Sequence, residues 1–183
     1  MKNQVSRIDK VALKKIRSNV NDILKQISNN LSKKRFKIFN ILDIAPQDYL
    51  QNKNIFSKFN YKSLDIDKNN TPDFRLDITK NNKKIIRNNT FDTIICTEVL
   101  EHTSNPFDAI KEIYRILKHK GFLHLTVPLN FRIHGPFPDY WRFTEHGLKN
   151  VLKDFKKIKI KSFSSNRFLF PTQYYVIAQK ISF

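Results

Sequence analysis

The 183-residue chain carries 34 Lys and Arg against 16 Asp and Glu, a formal charge of +18, with 40% hydrophobic and 13% aromatic residues. That content excludes a disordered or fibrous chain, and no apolar run is long enough to span a membrane, so one globular domain with its own core is expected. The polar start MKNQVSRIDK lacks a signal-peptide apolar region and the lone Cys96 excludes an internal disulfide, which makes a reducing cytoplasm the expected compartment.

Residues 1–35 form a basic lead-in. Val11, Leu13, Ile16, Val20, Ile23, Leu24, Ile27 and Leu31 recur at three- and four-residue steps, which predicts one or two amphipathic helices. Their apolar stripe packs on the sheet edge or a second subunit, or caps an active site. SNNLSKKR reads as the linker to an α/β domain over residues 36–183. Residues 36–45, FKIFNILDIA, make a first buried strand ending near Asp43, and the following turn IAPQDYL contains no glycine. Residues 60–67 give a second strand with Asp65 and Asp67 at its carboxyl end, and residues 74–79 a third ending at Asp77 and Ile78. Ligands of open α/β sheets bind beyond those ends, where a carboxylate can accept from ligand hydroxyls.

The densest pattern is FDTIICTEVLEHTSNPFDAIKEIYRILKHKGFLHLTVP, residues 91–128. It reads as a buried strand, then a helix capped by Asn105 with Pro106 at its first position, stopped by Gly121, then a second strand. This is a parallel βαβ unit of about thirty residues. Thr97, Glu98, Val99, Leu100, Glu101 and His102 fall at the mouth of the expected cleft, where His102 either takes a proton or shapes the turn. NFRIHGPFPDYWRFT then places His134, Asp139, Tyr140, Trp141 and Arg142 on one stiff loop. His134 or Asp139 can take a proton, Tyr140 and Trp141 can stack on a ring, and Arg142 can hold an acidic group. The alternative is a structural loop in which Asp139 and Arg142 pair. Thr144 caps a last helix, and two further strands close the chain. No cluster of His or Cys has metal-ligand spacing, so no metal is implied.

FDTIICTEVLEH with NPFDAIKEIYRILKHKGFLHLTVP resembles the fourth-strand region of class I S-adenosylmethionine-dependent methyltransferases, and HGPFPDYWRFTEHGL resembles the H-x-x-P-x-D-Y-x-R-[FW]-T segment of a bacterial subgroup. The resemblance implies a Rossmann-like α/β fold: a mostly parallel seven-stranded sheet, helices on both faces and an antiparallel C-terminal edge hairpin. It implies S-adenosyl-L-methionine as cofactor and a small-molecule or glycan-type acceptor, methylated on oxygen or nitrogen. On the matching positions Asp43 stands in the acidic place after the first strand, with Ala45 and Pro46 replacing the family's glycine-rich loop. The resemblance further implies Asp65 as the ribose ligand, with Asp67 as fallback, Asp77 and Ile78 at the adenine, and Thr97, Glu98 and Val99 beside the donor. The glycine-free loop leaves a second reading, an inactive relative with a structural or regulatory role. The +18 charge leaves a third, a nucleic-acid-directed enzyme with polyanion contact through its basic surface. A Lys- and Asn-rich composition from AT-rich codons accounts for the charge without a partner and is preferred.

Overall fold

The computed structural model describes residues 6–34, 37–163 and 169–181. β1 (Asn40–Ile44) lies between β2 (Asn60–Asp65) and β4 (Phe91–Thr97), with β3 (Phe74–Arg75) outside β2 and β5 (Leu117–Pro128) outside β4, all parallel. β7 (Gln173–Gln179) runs antiparallel to both β5 and β6 (Lys156–Phe163), giving the order β3-β2-β1-β4-β5-β7-β6. This is the expected mixed sheet with its antiparallel edge hairpin. Strand order reverses between β1 and β4, which opens a crevice at their carboxyl ends.

Alternation along the strands divides the core between the two faces of the sheet. Leu42, Ile44, Ile94 and Cys96 point to one face, with Ile110, Ile113, Leu148 and Leu152 of α3 (Pro106–Ile116) and α4 (Glu145–Val151). Ile41 and Ile95 point to the other, with Val20, Ile23, Leu24, Ile27 and Leu31 of α1 (Arg7–Ser32) and with Phe56 just after α2 (Tyr49–Ile55). Each helix begins where its side-chain cap satisfies free backbone N–H groups. Ser6 accepts from Asp9 N, Asp48 from Gln51 N, Asn105 from Phe107 N and Asp108 N, and Thr144 from Gly147 N. Cys96 is fully buried and burial pushes its thiol well up, so it is a packing residue.

Some boundaries differ from the pattern. The lead-in is one helix, α1, whose buried stripe belongs to the common core. β1 begins at Asn40, and Phe36, taken as its start, lies outside the described residues. β3 is two residues long because Asp77 folds back to accept from Thr79 N and Oγ1. Helix α3 ends at Ile116, not Gly121, because Leu117 already pairs with Phe91. The register then slips between Phe91 and Thr93, and residues 118–121 bulge. Gly121 is needed there for close approach: a Cβ would sit 2.8 Å from Lys118 O and 3.0 Å from Asp92 O.

Candidate active site

A cavity of about 760 Å³ opens at the carboxyl ends of β1, β2, β3 and β4, within the roughly 300–1,000 Å³ of small-molecule sites. Its walls come from separate strand ends: Ala45 and Pro46 after β1, Asp65 and Asp67 at β2, Asp77 and Ile78 after β3, and Glu98 and Val99 after β4. Leu13 and Arg17 of α1 close one side, so this helix both packs on the sheet and covers the cavity.

The missing glycine is explained by Ala45 itself. It adopts φ 48, the left-handed conformation, and its N–H donates to Leu64 O at 2.7 Å. Glu98 does the same at the end of β4, with φ 55 and its N–H on Thr126 O at 3.0 Å. A non-glycine residue in this region costs roughly 1–2 kcal/mol, and both strained residues line the cavity. The Glu98 carboxylate is buried and accepts from Gln173 Nε2 at 2.8 Å. Burial raises its pKa, against that hydrogen bond.

Asp65 Oδ1 accepts from Asp67 N at 2.9 Å and Oδ2 from Asn70 Nδ2 at 2.7 Å. Each carboxylate oxygen retains a further lone pair for a ligand hydroxyl. Asp43 and Thr97, by contrast, stand off the cavity. The Asp43 side chain turns into the space between α2 and β2, where Oδ2 accepts from Asn52 Nδ2 and Tyr61 OH, both at 2.8 Å. Burial pushes its carboxyl up to about 6 against those two hydrogen bonds. Thr97 is buried within β4.

The Glu101 segment and the 130–144 loop are zipped together. Glu101 O accepts from Tyr140 N at 2.8 Å and Trp141 N at 3.2 Å, and Trp141 Nε1 donates to Thr103 O at 2.8 Å. This brings His102 and His134 to a ring-centroid separation of 4.9 Å at the cavity wall. Asp139 and Arg142 form a bidentate pair at 2.6 and 2.8 Å. The guanidinium also donates to Trp141 O and Arg132 O. Arg142 and Asp139 therefore brace the loop and do not face the cavity, and Trp141 stacks on Phe143 at its base. Tyr140 remains on the cavity wall, half exposed. Burial would raise the Asp139 carboxyl, but Arg142 and the His134 N–H outweigh it and hold it at about 2. Burial lowers the His134 pKa, with Asp139 opposing.

Several cavity residues have no sequence signal of their own. Leu13 reads only as part of a helix stripe and Arg17 as part of the basic lead-in, Asn70 belongs to no motif, and Phe131 and Phe137 lie within the 130–144 loop at positions given no role. Glu101 is legible as a cleft-mouth acid, but its complete burial with neither oxygen hydrogen-bonded is not.

Residues 54–125 match the family model described as a methyltransferase domain. A 78-residue stretch is 41% identical to the uncharacterized protein MJ0638 of Methanocaldococcus jannaschii, covering 40% of this chain and 34% of that one, so the chain spans about a third of its curated relative. Among solved structures, a SAM-dependent methyltransferase from Archaeoglobus fulgidus has TM-score 0.66 at 16% identity, over 87% of this chain and 94% of its own. The CurJ carbon methyltransferase has TM-score 0.68 at 17% identity, over 88% of this chain and 54% of its own. The trans-methyltransferase CalH, solved with SAH, has TM-score 0.66 at 17% identity, over 88% and 55%. The [4+2]-cyclase SpnF shares the fold at TM-score 0.63 and 14% identity, over 87% of this chain and 81% of its own. The matched segment runs from the end of α2 into β5, so residues 54–125 resemble a methyltransferase domain, and the sheet order around them is the fold shared with S-adenosylmethionine-dependent methyltransferases.

Proposed function

We propose that the chain is an S-adenosylmethionine-dependent methyltransferase acting on a small polar acceptor, of glycan or similar polyhydroxylated type, at oxygen or nitrogen. The observation that carries this reading is the acidity of the cavity in a strongly basic chain. Asp9, Asp65, Asp67, Asp77 and Glu98 line it against Arg17 and Arg132, although the whole chain carries +18. Such a lining favours a cationic ligand rich in hydroxyl donors and disfavours a polyanion inside the cleft.

When bound, the cofactor supplies an electrophilic sulfonium methyl group. Asp65 accepts from its ribose hydroxyls, with Asp67 N and Asn70 holding the carboxylate in place. Ile78 offers an apolar contact to the adenine, and Ala45 and Pro46 bring backbone close to the amino-acid end. Glu98 balances the positive charge. His102 and His134 lie on the wall where an acceptor would stand, with ring nitrogens available to receive its proton as the nucleophile aligns for displacement. Tyr140 and Phe137 at the rim offer faces for a sugar-like ring.

Calorimetric titration with S-adenosylhomocysteine tests the reading. A one-to-one complex supports it. Absence of binding by folded protein at millimolar ligand overturns it and leaves the inactive-relative reading.

A further inference from the structure

Glu101 is inaccessible to solvent, and among the described residues neither of its carboxylate oxygens has a hydrogen-bond partner. Oε1 lies 3.8 Å from His102 Nε2 and 4.0 Å from His134 Nε2, too far for hydrogen bonds. One donor atom from each of the three residues falls within 4.8 Å of the others. A buried acid that faces two imidazoles without hydrogen-bonding to either groups three possible donor atoms in one place.

The imidazoles are oriented for such a group. His102 Nδ1 lies 3.1 Å from Pro138 O, a backbone carbonyl that can only accept. Nδ1 therefore carries the proton, and the neutral ring leaves its lone pair on Nε2. His134 Nδ1 lies 3.1 Å from Asp139 Oδ2 and 3.3 Å from Arg132 O, also acceptors, so its lone pair likewise sits on Nε2. Both lone pairs belong to the nitrogens nearest Glu101. An imidazole held through its other nitrogen by a carboxylate or carbonyl is the usual outer support of a metal ligand.

We propose that Glu101, His102 and His134 bind a divalent first-row transition-metal ion on the wall of the cavity. Two imidazole nitrogens and one carboxylate suit zinc, cobalt, manganese or iron, and match magnesium poorly. Zinc bonds of about 2.0–2.2 Å in a tetrahedral site put ligand atoms about 3.4 Å apart. Glu101 Oε1, at 3.8 and 4.0 Å, is therefore close to ligand spacing from both imidazoles, while the set of three, within 4.8 Å of one another, must draw together by up to roughly an ångström. His102 and His134 line the cavity, so the open coordination positions face it. Resting on the proposed acceptor class, those positions suit a hydroxyl of a polyhydroxylated molecule. With the ion bound, acidification of that hydroxyl passes from the imidazoles to the metal. The expectation of no metal rested on linear spacing, and the loop zipper brings His134 to Glu101 from across the sequence.

The test is calorimetry of chelator-stripped protein with zinc chloride, alongside the visible ligand-field spectrum of added cobalt(II). Wild type should bind one equivalent, and Glu101→Gln and His134→Gln should each weaken binding by about 10–100-fold or more. Magnesium chloride at equal concentration should not compete. S-adenosylhomocysteine titration of the same samples shows that each variant is folded and keeps the two proposals separate. Absence of a stoichiometric ion in protein that binds S-adenosylhomocysteine overturns the metal site, as does zinc binding unchanged in both variants. Zinc binding without S-adenosylhomocysteine binding supports the ion site and removes the methyl-transfer reading.

Discussion

Asp139 Oδ2 meets His134 twice, accepting its backbone N–H at 3.0 Å and lying 3.1 Å from Nδ1, while the same carboxylate holds Arg142 in a bidentate pair. One side chain therefore fixes an imidazole and braces the loop that carries it. Asp139→Asn should lose about 2 kcal/mol of stability, because Arg142 keeps its charge without a matching partner. Urea denaturation at neutral pH measures this. An unchanged midpoint would show that the loop is held by its backbone contacts alone.

Ala45 takes a left-handed turn that a glycine would adopt without steric cost. Ala45→Gly should leave the fold intact and raise stability by up to about 1 kcal/mol, the relief of strain being partly offset by a more flexible unfolded chain. Ala45→Val should lower it by a similar or larger amount. Thermal melts of the pair decide this, and a destabilised glycine variant would mean that the turn is not strained.

The Asp43 carboxyl is raised from 3.8 to about 6 by burial, against hydrogen bonds from Tyr61 and Asn52. A raised folded pKa means that the folded chain holds the proton more tightly than the unfolded one. The contribution is fully present below the unfolded value of 3.8 and is lost as pH rises through about 6. Its size is of order 3 kcal/mol or less. Asp43→Asn removes this dependence, so its stability relative to wild type should improve between about pH 4 and pH 7. Denaturant midpoints across that range test the sign, and a parallel pH dependence in both proteins would contradict it.

The sheet, the helix caps and the strand-end part of the cavity wall were legible because they rest on local chemistry. Buried strands show as apolar runs, and Asn105, Pro106 and Thr144 announce their helices. What failed was of two kinds. Gly121 looked like a helix stop because a glycine after a helical stripe usually is one, yet pairing of Leu117 with Phe91 ended α3 first. Asp43 is placed at the cofactor by the resemblance but lies off the cavity, and for Asp139 and Arg142 the sequence leaves open a site role or the mutual pair, of which the structure shows the pair. Whether such a side chain faces the cavity or braces the backbone depends on partners such as Tyr61 and Phe131, which spacing does not reveal. The meeting of Glu101 with His134 was hidden for the same reason.

Gly121→Ala tests the bulge before β5. Its Cβ would meet backbone oxygens of Lys118 and Asp92, which cannot swing aside as a flexible side chain would. A loss of about 1–3 kcal/mol is expected, read from a chemical denaturation curve. A neutral substitution would show that the bulge can relax.

The most direct test of the account is titration of S-adenosylhomocysteine into Asp65→Ala and Asp43→Asn beside wild type. Asp65 lines the cavity, whereas Asp43 is buried behind it with Asn52 and Tyr61. The account predicts that Asp65→Ala weakens binding by about 10–100-fold, the worth of one or two charge-assisted hydrogen bonds, and that Asp43→Asn binds within about threefold of wild type. Equal binding by wild type and Asp65→Ala, or loss confined to Asp43→Asn, would contradict it.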